Sequence, residues 1–289
     1  MARFILSYYY FKSMRLFKTL LTALFMLTQT AHAQPTTGQP ITALLGAFGA
    51  EVALVKQNLS NPQSMSLSGI EFTTGRIGNQ NVVVAETGIG KVNAAMTTTL
   101  LLHYFKPARV IFTGIAGGTN PDLQPGDIVI AGQTAHHDFN SLNQLATPTT
   151  QTLNPLTKVL NPRYFPADSG LMQRAIKVAD KVKFEGIPLA NGQVSTRPVR
   201  VLVGTVVTGD QFVSSAAKVK QLRTEHNADA TEMEGAAVAQ VCYQLKTPLL
   251  VIRSLSDRAD AEAHLDIRAF YPTAARNSAN LVLALVKGL

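Results

Sequence analysis

Residues 228–260 read ADATEMEGAAVAQVCYQLKTPLLVIRSLSDRAD. Thr231 is a candidate N-cap, and Val238, Val241, Cys242 and Leu245 recur at helical spacing, which places Glu232 and Glu234 at the start of a helix. The positive end of the helix dipole favours carboxylates there. Pro248 ends the connection. Residues 249–252, LLVI, then form the continuous apolar run of a strand buried on both faces, with Asp257 just beyond its carboxyl end. Such a helix-to-strand unit predicts an α/β fold, in which ligands bind at the carboxyl ends of the strands. Cys242, the single cysteine, lies on the apolar side of the helix and reads as core.

The same alternation extends outward in both directions. Residues 41–46 form a first strand that ends in GAFGAE, and Glu51 in the following first turn reads either as a working carboxylate or as an ordinary dipole-favoured acid. Residues 67–77 and 82–85 read as strands joined by a turn at Gly78-Asn79, and Gly88 and Gly90 open a helix whose uncharged stretch 94–104 predicts deep packing. His103 near its end reads as structural, and Lys91 lacks the spacing of a Walker phosphate loop. Residues 110–118 give a strand entering a glycine-rich turn, and residues 125–130 restart the sheet. His136-His137-Asp138 has metal-binding chemistry without a further cluster to complete a shell, so it reads as a polar strand end lining a pocket. Residues 140–165 lack periodicity and predict a long loop, followed by a helix over 171–182 and a strand over 199–208. Phe212 in the next turn is either an aromatic face for a planar ligand or core. The chain beyond Pro272 reads as a final helix with Ala274, Leu281 and Leu285 on its apolar side.

With 289 residues, 46% hydrophobic and 15% charged, the composition suits a globular protein with a large core rather than a disordered one. The formal charge of +8 raises nucleic-acid binding, yet Arg3, Lys12, Arg15 and Lys18 precede Ala33 with no acid among them. Without them about half the excess remains, and no basic run with interleaved aromatics follows, so no nucleic-acid partner is expected. Those first residues themselves read as an export signal over 1–33. It has a basic segment at MRLFK, an apolar run over 19–27 too short to span a bilayer, and the small-residue cleavage site Ala31-His32-Ala33. Met14 offers an alternative start. The expectation is a periplasmic or secreted protein with a polar lead-in over 34–40, one domain over 41–289, and no membrane association after cleavage.

Taken together, GAFGAEV (46–52), TGIGKVNAA (87–95), TGIAGG (113–118) with PGDIVI (125–130), TGDQFV (208–213), TEMEGAA (231–237) and RSLSDRAD (253–260) resemble the nucleoside phosphorylase/hydrolase family. The resemblance is closest to its nucleosidases acting on methylthioadenosine and S-adenosylhomocysteine. It spans most of the chain after residue 40 except 140–193. It implies a three-layer α/β/α fold with a central mixed, partly closed sheet, a homodimer, a small nucleoside as substrate, and neither cofactor nor metal.

Carried over residue by residue, the resemblance makes Asp257 the acid that protonates adenine N7 and Glu51 the carboxylate that activates water. Glu234 would hold the ribose hydroxyls with the Met233 backbone, Phe212 would stack on adenine, and the Val213 backbone would read its edge. Glu232, Arg253 and Ser256 would support the ribose, the water and Asp257. Cleaving an N-glycosidic bond passes through an oxocarbenium-like state, which needs a donor to the leaving base, an activated nucleophile and anionic surroundings. Family phosphorylases bind phosphate with arginines, whereas the matching places here hold residues 48–50 and Phe112, which favours water as nucleophile. Ile115 stands where a serine is common, leaving the ribose and water contacts open. The competing expectations are a phosphate-dependent phosphorylase and a non-catalytic nucleoside-binding protein.

Overall fold

The structure, a computed structural model, describes residues 39–139, 151–188, 194–260 and 263–289, without the side chains of 264–269. The export signal and most of the lead-in lie outside these residues, as does 140–150 of the expected loop. Residues Pro40–Leu289 form one compact unit. Its elements run β1 (Ile41–Gly46), α1 (Gly49–Gln57), β2 (Ser60–Leu67), β3 (Ile70–Ile77), β4 (Gln80–Glu86), α2 (Lys91–Phe105), β5 (Arg109–Gly118) and β6 (Ile128–His136). Then come β7 (Phe165–Pro166), α3 (Ser169–Ala179), β8 (Val201–Thr208), α4 (Ala216–His226), β9 (Ala230–Glu232), α5 (Gly235–Gln244), β10 (Leu249–Asp257) and α6 (Ala263–Lys287).

All ten strands join one sheet in the order β10-β6-β8-β9-β5-β1-β4-β3-β2, with β7 paired to β6. A further pairing between β10 and β5 closes five of them, β10, β6, β8, β9 and β5, into a ring. The remaining strands extend from β5 as an open wing. Parallel pairs (β1 with β4 and β5, β5 with β10, β8 with β6 and β9) mix with antiparallel ones (β10 with β6, β5 with β9, β3 with β2 and β4). The expected mixed, partly closed sheet is therefore present.

Alternation along each strand feeds two apolar layers. Ala43, Val83, Val110, Val129 and Val251 enter one core, with Leu101 of α2 and Val238 and Cys242 of α5. Their neighbours Leu44, Val84, Ile111, Ile130 and Ile252 enter the other, with Val55 of α1, Ala175 of α3 and Leu285 of α6. A sheet greasy on both faces needs helices on both, which is the three-layer arrangement. Cys242 is buried and its thiol is held protonated by burial, as a core residue.

Several expected boundaries move. β2 precedes the turn at Ser68-Gly69, so the strand read over 67–77 is the second arm of a hairpin whose first arm, SNPQSMSL, is exposed up to Leu67, which alone packs on the core, and carries little apolar alternation. Thr231 does not cap α5. It lies in β9, and Glu234 occupies the cap position without a capping side-chain bond. β10 runs on to Asp257, which is its last residue rather than one beyond it. α6 begins at Ala263, so Pro272 sits inside it instead of opening it. α2 is packed on one face only, with Val92 and Met96 exposed and His103 in solvent edge-on to Tyr104.

Candidate active site

The carboxyl ends of β1, β5, β8, β9 and β10 converge on one pocket, and four carboxylates line it: Glu51, Glu232, Glu234 and Asp257. Phe212, Val213, Met233 and Ser256 line it as well. The sequence reading therefore named side chains that the fold brings together, with Arg253 placed differently, behind the wall.

Glu51 stands in the first turn of α1 and reaches across to β5. Its Oε1 accepts the Ile115 N–H at 2.9 Å, and its Oε2 accepts the Ala47 N–H. This approach requires Gly114, where a Cβ would lie 2.6 Å from Glu51 Oε1 and 3.0 Å from an Arg253 nitrogen. Burial raises the Glu51 carboxyl to about 6, against the opposing pull of Arg253 and the two N–H groups.

Asp257 is aimed by an irregularity in β10. The register with β5 shifts between Leu255 and Asp257, and a bulge lets the consecutive residues Ser256 and Asp257 both face the pocket. The Ser256 hydroxyl donates to Oδ2 at 2.7 Å and the Ala259 N–H to Oδ1 at 2.7 Å, which fixes the carboxyl plane. Gly117 leaves the room, since a Cβ there would lie 2.9 Å from Asp257 Oδ1.

Glu232 and Glu234 flank Met233 where β9 gives way to α5. Glu232 Oε2 accepts from Arg253 at 2.7 Å and from the Gly235 N–H at 2.7 Å, while Oε1 accepts the Thr208 hydroxyl. Arg253 is fully buried, its guanidinium 4.1 Å over the Phe112 ring and bonded to the Phe112 and Ile252 carbonyls. Glu234 Oε1 instead receives the Gly90 N–H at 2.8 Å. Burial first, and then the neighbouring Glu232, push the Glu234 carboxyl well above the usual carboxylate range.

Phe212 is 40% exposed and presents its ring at the pocket, while Val213 is buried. Phe48 and Ile115 add apolar wall. Among the described residues lining the pocket there is no Lys, Arg or His. His136, His137 and Asp138 lie outside it. His136 pairs with Gln240, Asp138 pairs with Lys91, and no group of three metal-ligating side chains occurs among the described residues. Sequence reasoning missed Thr208, which accepts the Ala236 N–H while donating to Glu232, and the Gly90 amide. Thr208 opened a motif already singled out, but a backbone donor such as Gly90 leaves no side-chain signal.

The family model of the phosphorylase superfamily matches residues 42–287. A 5'-methylthioadenosine/S-adenosylhomocysteine nucleosidase of Tolumonas auensis is 36% identical over 247 residues, 85% of this chain and 98% of that protein. Among solved structures, the nucleosidase of the same name from Neisseria meningitidis, in complex with methylthio-immucillin-A, superposes with a TM-score of 0.75 at 34% identity, covering 86% of this chain and 100% of that one. Futalosine hydrolase of Helicobacter pylori gives 0.75 at 29% identity, covering 86% of this chain and 98% of its own. From the closed ring, the carboxylate pocket at its strand ends and a match along nearly the whole α/β unit, it follows that the chain belongs to the phosphorylase superfamily.

Proposed function

We propose that the protein is a purine nucleosidase that hydrolyses the N-glycosidic bond of methylthioadenosine, S-adenosylhomocysteine or a related adenosine derivative and releases adenine. The observation that carries this reading is the lining of the pocket: four carboxylates, an exposed aromatic ring and no cation among the described residues. A phosphate dianion has no cation there to neutralise it, whereas an oxocarbenium-like centre would face Glu51 and Glu234, with Glu232 neutralised by Arg253 and Asp257 carrying the proton for the base. The nucleosidase relatives support the same reaction.

In this mechanism Phe212 stacks on the base, the Val213 backbone reads its edge, and Asp257, held by Ser256 and the Ala259 N–H, delivers a proton to N7. Glu51 takes the proton from the attacking water. Glu234 and the Met233 backbone hold the ribose hydroxyls. Glu232 and Arg253 act from behind, neutralising one another and fixing the Met233–Gly235 turn through the Glu234 and Gly235 N–H groups.

The test is phosphate-free incubation with methylthioadenosine, adenosine and inosine. Adenine release abolished in Glu51→Gln and Asp257→Asn is expected. Release only with added phosphate would make the protein a phosphorylase, and binding without release a nucleoside receptor.

A homodimer and export belong to the same proposal. Val92, Ala95, Phe139 and Val241 line a groove whose polar members include Lys91, His136 and Asp210, and Met96 is exposed on the same helix as Val92, a surface suited to a second copy. Light scattering giving a monomer would remove the dimer. Residues 1–33 supply the export expectation, and detection of the uncleaved chain in the cytosolic fraction would remove it.

A further inference from the structure

We propose that Lys91, Asp138 and Asp210 form a latch that positions the purine platform against the ribose-holding carboxylate. The proposal rests on the nucleosidase reading for what the pocket binds. The three residues come from three separate segments: the start of α2, the end of β6 and the turn after β8. None of them lines the pocket, so the latch acts through others.

Lys91 Nζ lies 2.6 Å from Asp138 Oδ1 and 3.7 Å from Asp210 Oδ2. The Lys91 backbone N–H donates to Asp210 Oδ1 at 2.8 Å, and the Asp210 N–H donates to Asp138 Oδ2 at 2.8 Å. Asp210 is two residues from Phe212. On the other side, the residue before Lys91 is Gly90, whose N–H holds Glu234. A single turn, 88–91, thus grips the ribose carboxylate through Gly90 and the base platform through Lys91, and the residue just before them, Ile89, lines the pocket. Gly90 takes φ +96°, and a Cβ on it would come within 3.2 Å of Asp210 Oδ1, so the turn closes against the platform only with glycine there.

Isolated ion pairs at a surface contribute little. Here the Lys91 and Asp138 side chains are only 19% and 16% exposed, against 48% for Asp210, and three short charge-assisted bonds, from Lys91 Nζ to Asp138, from the Lys91 N–H to Asp210 and from the Asp210 N–H to Asp138, join the three residues into one network. Burial works against the Asp138 charge, yet Lys91 and the Asp210 N–H more than offset it and hold the carboxyl below its ordinary range. Removing the ammonium leaves two carboxylates facing one another across the joint, which drives the platform away from Glu234.

The experiment measures KM and kcat for methylthioadenosine, and Kd for free adenine, in the full-length protein and in Lys91→Met, Asp210→Asn and Lys91→Arg. Lys91→Met is expected to raise KM and adenine Kd about tenfold with kcat within about twofold, Asp210→Asn to raise them less, and Lys91→Arg to restore most of the affinity. Unchanged KM and Kd in both Lys91→Met and Asp210→Asn, or a loss confined to kcat, overturns the latch. Should Lys91→Met fail to fold, Asp210→Asn decides by the same readouts. A wild-type protein that binds adenine without hydrolysing methylthioadenosine overturns the nucleosidase reading alone, since adenine Kd across the variants still decides the latch.

Discussion

Glu232 and Glu234 stand two residues apart at the mouth of α5, both buried, and the fold treats them in opposite ways. Glu232 belongs to the wall: Arg253, a hydroxyl and backbone amides meet its charge. Glu234 belongs to the pocket face with Glu51, where burial outweighs the few donors each receives and both carboxyls are raised. Equal burial with unequal partners separates structural charge from charge free to respond to a ligand. The wall tolerates its charge because Arg253 is there. On the pocket face backbone N–H groups, not a paired guanidinium, meet Glu51 and Glu234, as in a site awaiting a cationic transition state.

The comparison breaks most readily at Asp257. Asp257→Asn should lower kcat by about 10²–10⁴-fold while leaving the urea midpoint nearly unmoved, because the face serves the reaction and not the fold. Arg253→Met should show the reverse emphasis: a loss of about 3–5 kcal/mol in urea unfolding from stranding Glu232, most of it recovered in Glu232→Leu/Arg253→Met. A stability change below about 1 kcal/mol in that single variant would erase the distinction between wall and face.

His137 sharpens the role of burial, since both ring nitrogens are buried without a hydrogen-bond partner among the described residues. Burial lowers it to about 4. Its contribution to stability is present above its unfolded value of 6.5 and is lost as pH falls through about 4. His137→Phe should flatten that acid loss by about 3 kcal/mol in unfolding free energies measured from pH 7 to 3.5. Glu51 runs the other way. Its folded value of about 6 lies above 4.5, so its contribution is present below pH 4.5 and is lost as pH rises through 6, a change of about 2 kcal/mol. The same ionisation should give kcat/KM an acid limb, falling about tenfold per unit below pH 6 in a pH–rate profile.

Much of the layer structure was legible because β1, β5 and β10 are apolar runs bounded by glycine or proline, and such runs specify buried strands locally. Closure of the ring was not derivable from periodicity. It depends on β10 lying between β5 and β6, a pairing over long sequence separation, and entered only through the family resemblance. β2 escaped notice because an exposed strand has no buried face to impose alternation. In the site, the carboxylates were readable as chemistry-bearing types near element ends. Thr208, the Gly90 amide and the Lys91 joint were not, because each becomes meaningful only when segments far apart in the chain meet.

The closed ring has a consequence for assembly. Its five strands pair with one another around the circle, with only the two-residue β7 added at β6, so among the described residues the open wing ends at β2. That strand carries Pro62, which donates no backbone N–H, and five polar side chains among its eight residues, all of them exposed. An outside chain seeking to lengthen the sheet meets an interrupted and hydrophilic border. The polarity that hid β2 from pattern recognition thereby protects the protein against edge-to-edge aggregation.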